Sequence, residues 1–406
     1  MKDGLMTSTA SQMRAWTGPT ILSYGFRPFF LGAAFWAALA MMVWVAMLSG
    51  SATLPSAFDP VSWHAHEFLF GYLGAVIAGF LLTAVPNWTG RPPIVGWWLG
   101  ALAGLWLAGR GVVAISADLP AVLVAGTDLA FPVILAGVIL REIVAGRNWR
   151  NLIVLGILGV FFIGNALFHW EAARGGYAAK GYGLRLGLGA GIMMIAVIGG
   201  RVVPSFTRNW LVKRQSAVLP TPPMQRFDKA ALVVLLAALL LWVGWPDKML
   251  TGITLAFAGG LHVIRLARWV GHRTLAEPLV TVLHVGYAFV PLGALVLAVE
   301  IIVPGSVSMA GAQHLWMAGA IGLMTLAVMT RATLGHSGQA LTAGPGTVTI
   351  YVALIVAVLA RVAAGAWPGY AHGLHMVSGL GWIVAFGGFA LVYGALLLRR
   401  PATGKG

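Results

Sequence analysis

The stretch WHAHEFLFGYLGAVIAGFLLTAV (Trp63–Val85) begins with two histidines and a glutamate and then continues from Phe68 without a charged residue. About 20 consecutive apolar residues are enough for an α-helix to cross the hydrocarbon core of a bilayer. Similar runs recur along the 406-residue chain, which is 59% apolar and only 9% charged. An average soluble domain has about 25% charged residues. The period-two alternation typical of membrane β-barrels is absent. The sequence therefore predicts an all-α integral membrane protein.

Turn-forming residues divide the chain into twelve predicted transmembrane helices. The spans are about 24–49, 63–86, 94–117, 121–144, 151–172, 183–204, 228–245, 249–270, 276–301, 308–332, 346–366 and 373–398. The longest connection, about 205–227, follows the sixth span. We find no convincing repeat between the two halves. We therefore expect one polytopic membrane domain over residues 1–406, with spans 1–6 at about 24–204 and spans 7–12 at about 228–398.

The basic residues predict the orientation of the spans. Six of the 26 Lys and Arg residues lie on one side, and the other 20 lie on the side that carries both termini. Because cytoplasmic loops are enriched in Lys and Arg, we expect both termini in the cytoplasm. The polar segment 1–20 lacks the pattern of a secretory signal. The basic residues are scattered over short loops, so the net charge of +15 does not indicate nucleic-acid binding. The six basic residues on the side opposite the termini are Arg110, Arg174, Lys180, Arg185, Lys248 and Arg361.

Ten histidines and the absence of cysteine restrict the kinds of metal site that this chain can form. Cysteine-ligated iron–sulfur clusters, covalent c-type haem and thiolate zinc sites are excluded. Any metal would be bound by His, Met, Tyr or carboxylate groups. Ionisable residues within a membrane are rare and mark functional sites. In the predicted orientation, the outer halves and outer ends of several spans carry histidines: His64, His66, His169, His314, His372 and His375.

The two histidines that open span 2 project to different faces of the helix. Residues two positions apart point about 200° from each other, so His64 and His66 cannot easily bind one metal ion together. They can instead serve two sites on opposite faces. A His-x-His pair serves two haems in this way in haem–copper oxidases, which we use as a geometric analogy only. The alternative is that one or both histidines are interfacial and hydrogen-bonded to water.

Four more histidines are candidate metal ligands. His284 is expected near the middle of span 9, and His314 one to two turns into span 10. His262 lies within a turn of the interface. His336 lies in a Gly-flanked turn, where it caps span 10 or binds a group at the cytoplasmic face. The alternative for His284 and His314 is a core histidine that hydrogen-bonds to a neighbour. His284 and His314 are our candidates to complete the sites of the His-x-His pair. The predicted metal ligands are His64, His66, His262, His284, His314 and His336.

Five motifs stand in order along the chain. They are GFRPFF (25–30), WHAHE (63–67), GFLLTAVPNWTG (79–90), GGRVVPSFT (199–207) and MTRATLGHSG (329–338). Together they resemble the NnrS family of bacterial membrane proteins. The resemblance implies a twelve-span protein of the bacterial inner (cytoplasmic) membrane, associated with the response to nitric oxide and containing haem and copper. It does not imply a settled reaction. Ser337 stands where the family pattern usually has Thr, a change that keeps the hydroxyl.

The resemblance and the lack of cysteine together predict one or two non-covalent b-type haems, and the resemblance implies copper in addition. Glu67 is the candidate catalytic residue, because an outer-face carboxylate can orient a ligating imidazole or transfer protons. Asp128 either pairs with Arg110, which we favour, or relays protons. Arg110 and Arg361 are candidates for contacting haem propionates. The predicted cofactor-binding residues are His64, His66, His284, His314, Arg110 and Arg361.

Three functions remain open at this point. The first, which we favour, is reduction of nitric oxide at a His-ligated haem or metal. It needs quinol or another electron donor, and protons for which Glu67, Glu171 and Glu300 lie near the outer face. The second is a haem protein that binds or senses nitric oxide without turnover. The third is a transporter, which twelve spans alone suggest and which the concentration of histidines makes less favourable.

Overall fold

The computed structural model describes residues 16–399. Within this range, twelve helices are long and apolar enough to cross a membrane, and no β-strand is formed. The protein is therefore an all-α, multi-pass membrane protein. The predicted cytoplasmic location of the termini also rests on residues 1–15 and 400–406, which lie outside the described residues. The helices are α1 (Phe26–Leu48), α2 (Pro60–Thr89), α3 (Trp97–Ala114), α4 (Ala121–Ala145), α5 (Trp149–Ala173), α6 (Tyr182–Lys213), α7 (Arg226–Gly244), α8 (Met249–Arg273), α9 (Pro278–Ile302), α10 (Met309–His336), α11 (Pro345–Ala366) and α12 (Pro368–Leu398).

The ends of α2 show how local sequence sets a helix boundary. The Asp59 side chain accepts hydrogen bonds from the backbone N–H groups of Val61 and Ser62, both at 3.0 Å, and Pro60 occupies the first helical position. Both features favour a helix N-terminus. At the other end Gly90 has φ of +69° and closes the helix. The helix therefore begins before the predicted residue 63 and contains the whole WHAHE motif.

Helix α2 is the most buried of the twelve spans, with 83% of its apolar window inside the protein. Polar residues on this helix therefore find their partners within the protein rather than in lipid. Its hydrogen bonding changes directly after His66, where the segment Glu67–Tyr72 is π-helical. Such segments place one extra residue in a turn and occur frequently at functional sites.

Helix α6 is longer than the sequence predicts. It continues through Pro204 to Lys213, although residues from about 205 were expected in the longest connection. Proline is tolerated in membrane helices because nearby side chains and local adjustments satisfy the freed backbone groups. In the same turn the hydroxyls of Ser205 and Thr207 donate to backbone carbonyls one turn earlier. The connection before α7 is reduced to residues 214–225.

The chain packs into two compact units. The first contains the described residues up to Leu184, together with Thr333–Gln339 and the described residues from Ala390 onward. The second contains Arg185–Ala332 and Ala340–Phe389. The change from the first unit to the second lies within α6, so the connection 214–225 is inside the second unit. The single polytopic domain stays a prediction.

Candidate metal centre

Six polar side chains from four helices of the first unit meet around Asp128. None of them is more than 5% exposed. Placing so many ionisable groups within a membrane-spanning bundle is costly unless they pair with one another. We call them the Glu67 cluster: His66 and Glu67 from α2, Arg110 from α3, Asp128 from α4, and Asn165 and His169 from α5.

Arg110 is the cation of the Glu67 cluster. Its Nη1 lies 2.7 Å from both carboxylate oxygens of Glu67, and its Nη2 pairs with Oδ1 of Asp128. The favoured interpretation of Asp128, pairing with Arg110, is thus confirmed. Glu67 is completely buried in a second ion pair with the same guanidinium. Both carboxylates are therefore fixed by one planar group that donates several hydrogen bonds.

Gly71, within the π-helical segment of α2, makes the Arg110–Glu67 pair sterically possible. A Cβ atom at Gly71 would lie 2.6 Å from Arg110 Nη1 and 2.9 Å from Glu67 Oε2. Only glycine leaves that space. Trp106 of α3 donates a 2.9 Å hydrogen bond to the backbone carbonyl of Gly71, so α3 covers this turn of α2.

Both ring nitrogens of His66 face hydrogen-bond acceptors. Nδ1 lies 3.0 Å from Glu67 Oε1, and Nε2 lies 3.0 Å from Asn165 Oδ1 and 3.3 Å from Asp128 Oδ2. The Asn165 amide donates through Nδ2 to Asp128 Oδ2 at 2.8 Å, which turns its oxygen toward His66. A neutral imidazole has one N–H and one lone pair. This surrounding therefore lacks one proton or cation, which a second proton on His66, a proton on Glu67 or a cation at Nε2 would supply.

The charges of the Glu67 cluster lead to the same requirement. Two carboxylates, Glu67 and Asp128, share one guanidinium. With both histidines neutral, one negative charge remains unbalanced in a buried environment. Buried charges are paired or coordinate metals, because the cost of removing an isolated ion from water is high. A proton on His66 or a monovalent ion such as Cu⁺ would balance this charge, and a divalent ion such as Fe²⁺ would change it to a single positive charge.

Three donors of the cluster are arranged as a set of metal ligands. One donor atom each from His66, Asp128 and His169 lies within 4.8 Å of the other two. Two imidazoles with one carboxylate suit iron, and imidazole also suits copper. Glu67 accepts the bond from the other ring nitrogen of His66. Such a carboxylate commonly orients a metal-binding histidine. The donor chemistry and its support therefore fit a metal ion.

Aromatic rings close the cluster off. The rings of Phe58, Phe70 and Phe168 lie with their centroids 5.3, 5.5 and 5.4 Å from that of His66. Within this shell the side chains of the Glu67 cluster form hydrogen bonds and ion pairs with one another. The arrangement suits a single ion held in an apolar surrounding, and it does not suit a porphyrin ring. The predicted haem therefore has no support from this cluster.

The other histidine of WHAHE faces a different part of the first unit. The His64 ring stacks on Trp44 of α1, with centroids 4.4 Å apart and planes at 19°, and it contacts Phe68. His66 instead contacts α4 and α5. The predicted projection of the two histidines to opposite faces is confirmed. Whether His64 binds a metal or haem stays a prediction.

A second buried cluster, in the second unit, contains His262. We call it the Arg265 cluster: Asp228, His262, Arg265 and Tyr287. Arg265 donates through Nε to Asp228 at 2.9 Å and through Nη1 to the Tyr287 hydroxyl at 2.7 Å. His262 lies 2.9 Å from that hydroxyl and 3.3 Å from the carbonyl oxygen of Ala231. Each ring nitrogen of His262 thus has a partner of the kind that a neutral imidazole needs.

The remaining predicted ligands of the second unit are packed as separate residues. His284 lies in the second turn of α9 (Pro278–Ile302), about 9 Å from its start, and not near the middle as expected. Its Nε2 bonds to the Thr207 hydroxyl at 2.7 Å. A Cβ at Gly271 would lie 2.6 Å from its Nδ1, so backbone covers the other side of the ring. His314, partly exposed, bonds to the carbonyl of Ala310 at 2.7 Å.

Two predicted residues lie elsewhere. His336 is the last residue of α10 rather than part of a turn, and its ring stacks on Phe26 with centroids 5.3 Å apart. Arg361 is partly exposed in α11. The structure thus brings together His66, Glu67 and Arg110 of the predicted set. The completion of His64 and His66 sites by His284 and His314 stays a prediction.

Sequence reasoning did not propose two residues of the candidate centre. His169 was regarded as the outer end of a span, and Asn165 was not considered. A signal was present, because residues four apart share one face of a helix, and Asn165 and His169 of α5 therefore point the same way. Asp128 is the buried acid that both contact.

A comparison with protein families gives this geometry a context. The sequence model of the NnrS protein family matches residues 20–400. The chain belongs to the NnrS family. The match covers nearly the whole chain and all twelve helices begin within it. NnrS membership suggests a nitric-oxide-related protein with haem or metal, and the buried His66, Asp128 and His169 group could bind metal. No curated protein is significantly similar in sequence.

Proposed function

We propose that this NnrS-family chain is a bacterial inner-membrane metalloprotein that acts on nitric oxide through a metal ion held by His66, Asp128 and His169. The observation that carries the proposal is the convergence of these three buried donors in a cluster with one unbalanced negative charge. Iron and copper both accept imidazole ligands, and the two-His, one-carboxylate set favours iron. When bound, the ion would provide a position for nitric oxide and transfer electrons to it.

The protein residues have distinct roles in this proposal. His66 and His169 supply neutral imidazole nitrogens, and Asp128 supplies a carboxylate oxygen. Glu67 orients His66 by accepting from Nδ1 at 3.0 Å. Arg110 binds both carboxylates and keeps their positions fixed. The aromatic shell of Phe58, Phe70 and Phe168 excludes water from the metal-binding side chains.

We further propose that the reaction is reductive detoxification. Two molecules of nitric oxide, two electrons and two protons give nitrous oxide and water, and quinol supplies the electrons and is oxidised to quinone. Of the three outer-face acids, Glu67 contacts a candidate ligand directly. Glu171 accepts from the backbone N–H of Tyr182 and Gly183, and Glu300 from those of Gly305 and Val307. Glu67 is therefore the proposed proton-transfer residue. The presence of haem b, and of copper in addition to the proposed iron, rests on family membership alone.

The test uses the purified full-length protein, its Asp128→Asn variant and, as a control, the His372→Gln variant in an exposed residue. Metal content, the absorption spectrum and consumption of nitric oxide with a reduced quinone are measured. We expect metal and consumption in the parent and control, and loss of both in Asp128→Asn. Nitric oxide binding without turnover would support the alternative of a protein that binds or senses nitric oxide without reducing it. A colourless, metal-free parent would contradict the metalloprotein and favour the transporter.

We also propose that both termini are cytoplasmic. The support is the distribution of Lys and Arg, of which 20 of 26 lie on the side of the termini. Reporter domains that are active only in the periplasm can be fused after residue 215, within the connection before α7, and after residue 400. We expect both fusions to be inactive, and activity at either position would contradict the orientation.

A further inference from the structure

A buried arginine of the first unit has hydrogen-bond donors that its protein neighbours do not use. Arg27, the second residue of α1, is fully buried. Its Nη1 donates to three backbone carbonyls at the end of α12, those of Leu396, Leu397 and Arg399, at 2.8 to 3.1 Å. Among residues 16–399, Nε and Nη2 of Arg27 have no hydrogen-bond partner.

The two unused donors form the edge of the guanidinium that binds oxyanions. Nε–H and one Nη2–H point in parallel along the same edge, and this fork matches two oxygens of a carboxylate or phosphate. The described ion pairs do not include Arg27. The helix C-terminus that receives Nη1 carries only a partial negative charge. The buried Arg27 guanidinium therefore has a free edge with two parallel donors, which is available to an anion.

A second segment of the first unit contributes more unused donors. Thr333 is fully buried and Ser337 is 7% exposed, and neither hydroxyl has a partner within the described part of the chain. The two residues are four apart in sequence, so they lie on one face of the helix end. Buried hydroxyls without partners are uncommon in native structures and call for an explanation.

Phe26 joins the two segments. Its ring stacks on the ring of His336, with centroids 5.3 Å apart, and the Arg27 guanidinium carbon lies 5.5 Å from the same ring. Tyr24 packs against His336 from another direction, with centroids 5.4 Å apart. The GFRPFF and MTRATLGHSG motifs thus meet here. Neither has a part in the candidate metal centre.

We propose that Arg27, Thr333 and Ser337 form a buried site for the phosphate group of a ligand. All the unused groups are donors or hydroxyls, which suits an acceptor-only anion. They come from two chain segments, and tetrahedral phosphate oxygens accept from more directions than the planar carboxylate does. Arg27 is at the end of a membrane-spanning helix, the depth at which lipid phosphates lie. The phosphate is either free inorganic phosphate or the headgroup of a phospholipid.

The test measures thermal unfolding of the delipidated, full-length protein in detergent. Inorganic phosphate and phosphatidylglycerol in mixed micelles are added separately, with potassium chloride at equal ionic strength as the salt reference. We expect one of the two to raise the unfolding temperature of the parent. Stabilisation by phosphate identifies a free anion as the source, and stabilisation only by phosphatidylglycerol identifies a lipid.

The Thr333→Val, Ser337→Ala double variant decides whether these residues bind the ligand. Loss of hydrogen bonds to a charged group should weaken the apparent affinity about tenfold or more. Without ligand the variant should fold at least as well as the parent, because two unpaired buried hydroxyls are removed. Arg27→Lys keeps the charge but loses the fork, and should also lose binding. Since Nη1 holds the end of α12, that variant is secondary to the double one.

Thr325→Val is the matched control. This buried hydroxyl of the same helix donates to the carbonyls of Ile321 and Gly322, so its removal should leave the ligand affinity unchanged. The site is overturned if neither ligand stabilises the parent beyond potassium chloride. Parent-like affinity in the double variant would overturn it equally.

Discussion

Two buried histidines, His66 in the Glu67 cluster and His262 in the Arg265 cluster, have similar burial and opposite hydrogen-bond surroundings. His262 has a hydroxyl on one ring nitrogen and a carbonyl on the other. The Tyr287 hydroxyl accepts from Arg265 and donates to His262, so a neutral ring satisfies every contact. His66 faces only acceptor oxygens, from Glu67, Asn165 and Asp128. It needs one more positive charge.

The net charges of the two clusters also differ. Asp228 and Arg265 balance each other, whereas Glu67 and Asp128 share only Arg110. A closed, neutral network contributes to the fold, and a network that lacks a cation offers a place for one. Burial alone therefore does not distinguish a structural histidine from a metal ligand. The kinds of atom that face the ring do distinguish them.

The largest effect should follow from breaking the Arg265 cluster. Asp228→Ala leaves a buried guanidinium without its carboxylate and also removes the acceptor for the backbone N–H of Gln225, one half of the capping box of α7. We expect a loss of about 3–5 kcal/mol in the free energy of unfolding. Unfolding in detergent measures it, with the exposed Asp247→Ala as control. Metal content per folded molecule should not change. A loss of metal here would remove the distinction between the clusters.

A smaller effect should follow from filling the space beside Glu67. Gly71→Ala places a methyl group against Arg110 and the Glu67 carboxylate. Overpacking of this kind costs about 1–3 kcal/mol, and we expect metal to be lost as well because the ligands are displaced. Gly74→Ala is the control one turn later, since a Cβ there meets nothing within 4 Å. Equal stability and equal metal content in the two variants would show that the pair is not tightly packed.

Glu67→Gln tests the orienting carboxylate with little change in shape. The amide is uncharged and binds His66 Nδ1 less strongly, so metal affinity should fall about tenfold to a hundredfold. Competition with a chelator measures the affinity. Tighter binding by the variant would contradict the assigned role of Glu67.

The smallest effect should come from Tyr287→Phe. It removes the hydroxyl between Arg265 and His262. We expect a loss of about 1 kcal/mol and unchanged metal content, both measured on purified protein. A drop in metal content would assign the Arg265 cluster a role beyond folding.

The sequence predicted the fold well because long apolar runs and turn residues are local signals. The twelve helices were expected, and the largest boundary differences occur where the signals mislead. Pro204 was read as a helix end, yet α6 continues to Lys213. His284 was placed near the middle of its span, although the predicted start at about 276 nearly agrees with Pro278 and puts this residue in the first third of the helix.

The candidate site was predictable only in part. WHAHE and the pairing of Asp128 with Arg110 could be read from depth along the helices. His169 and Asn165 could not be joined to His66, because contacts between α2 and α5 depend on helix packing and not on spacing within one segment. The π-helical turn at Glu67–Tyr72 was not visible either.

The most direct test of the metal centre is the metal content of the folded, purified protein, measured by inductively coupled plasma mass spectrometry. The parent, His169→Gln and His262→Gln are compared after identical expression with iron and copper supplied. We predict that the parent and His262→Gln hold iron or copper, and that His169→Gln loses most of it. A parent without bound iron or copper, or equal metal in all three proteins, would contradict the account and leave the Glu67 cluster as a structural network with a protonated His66.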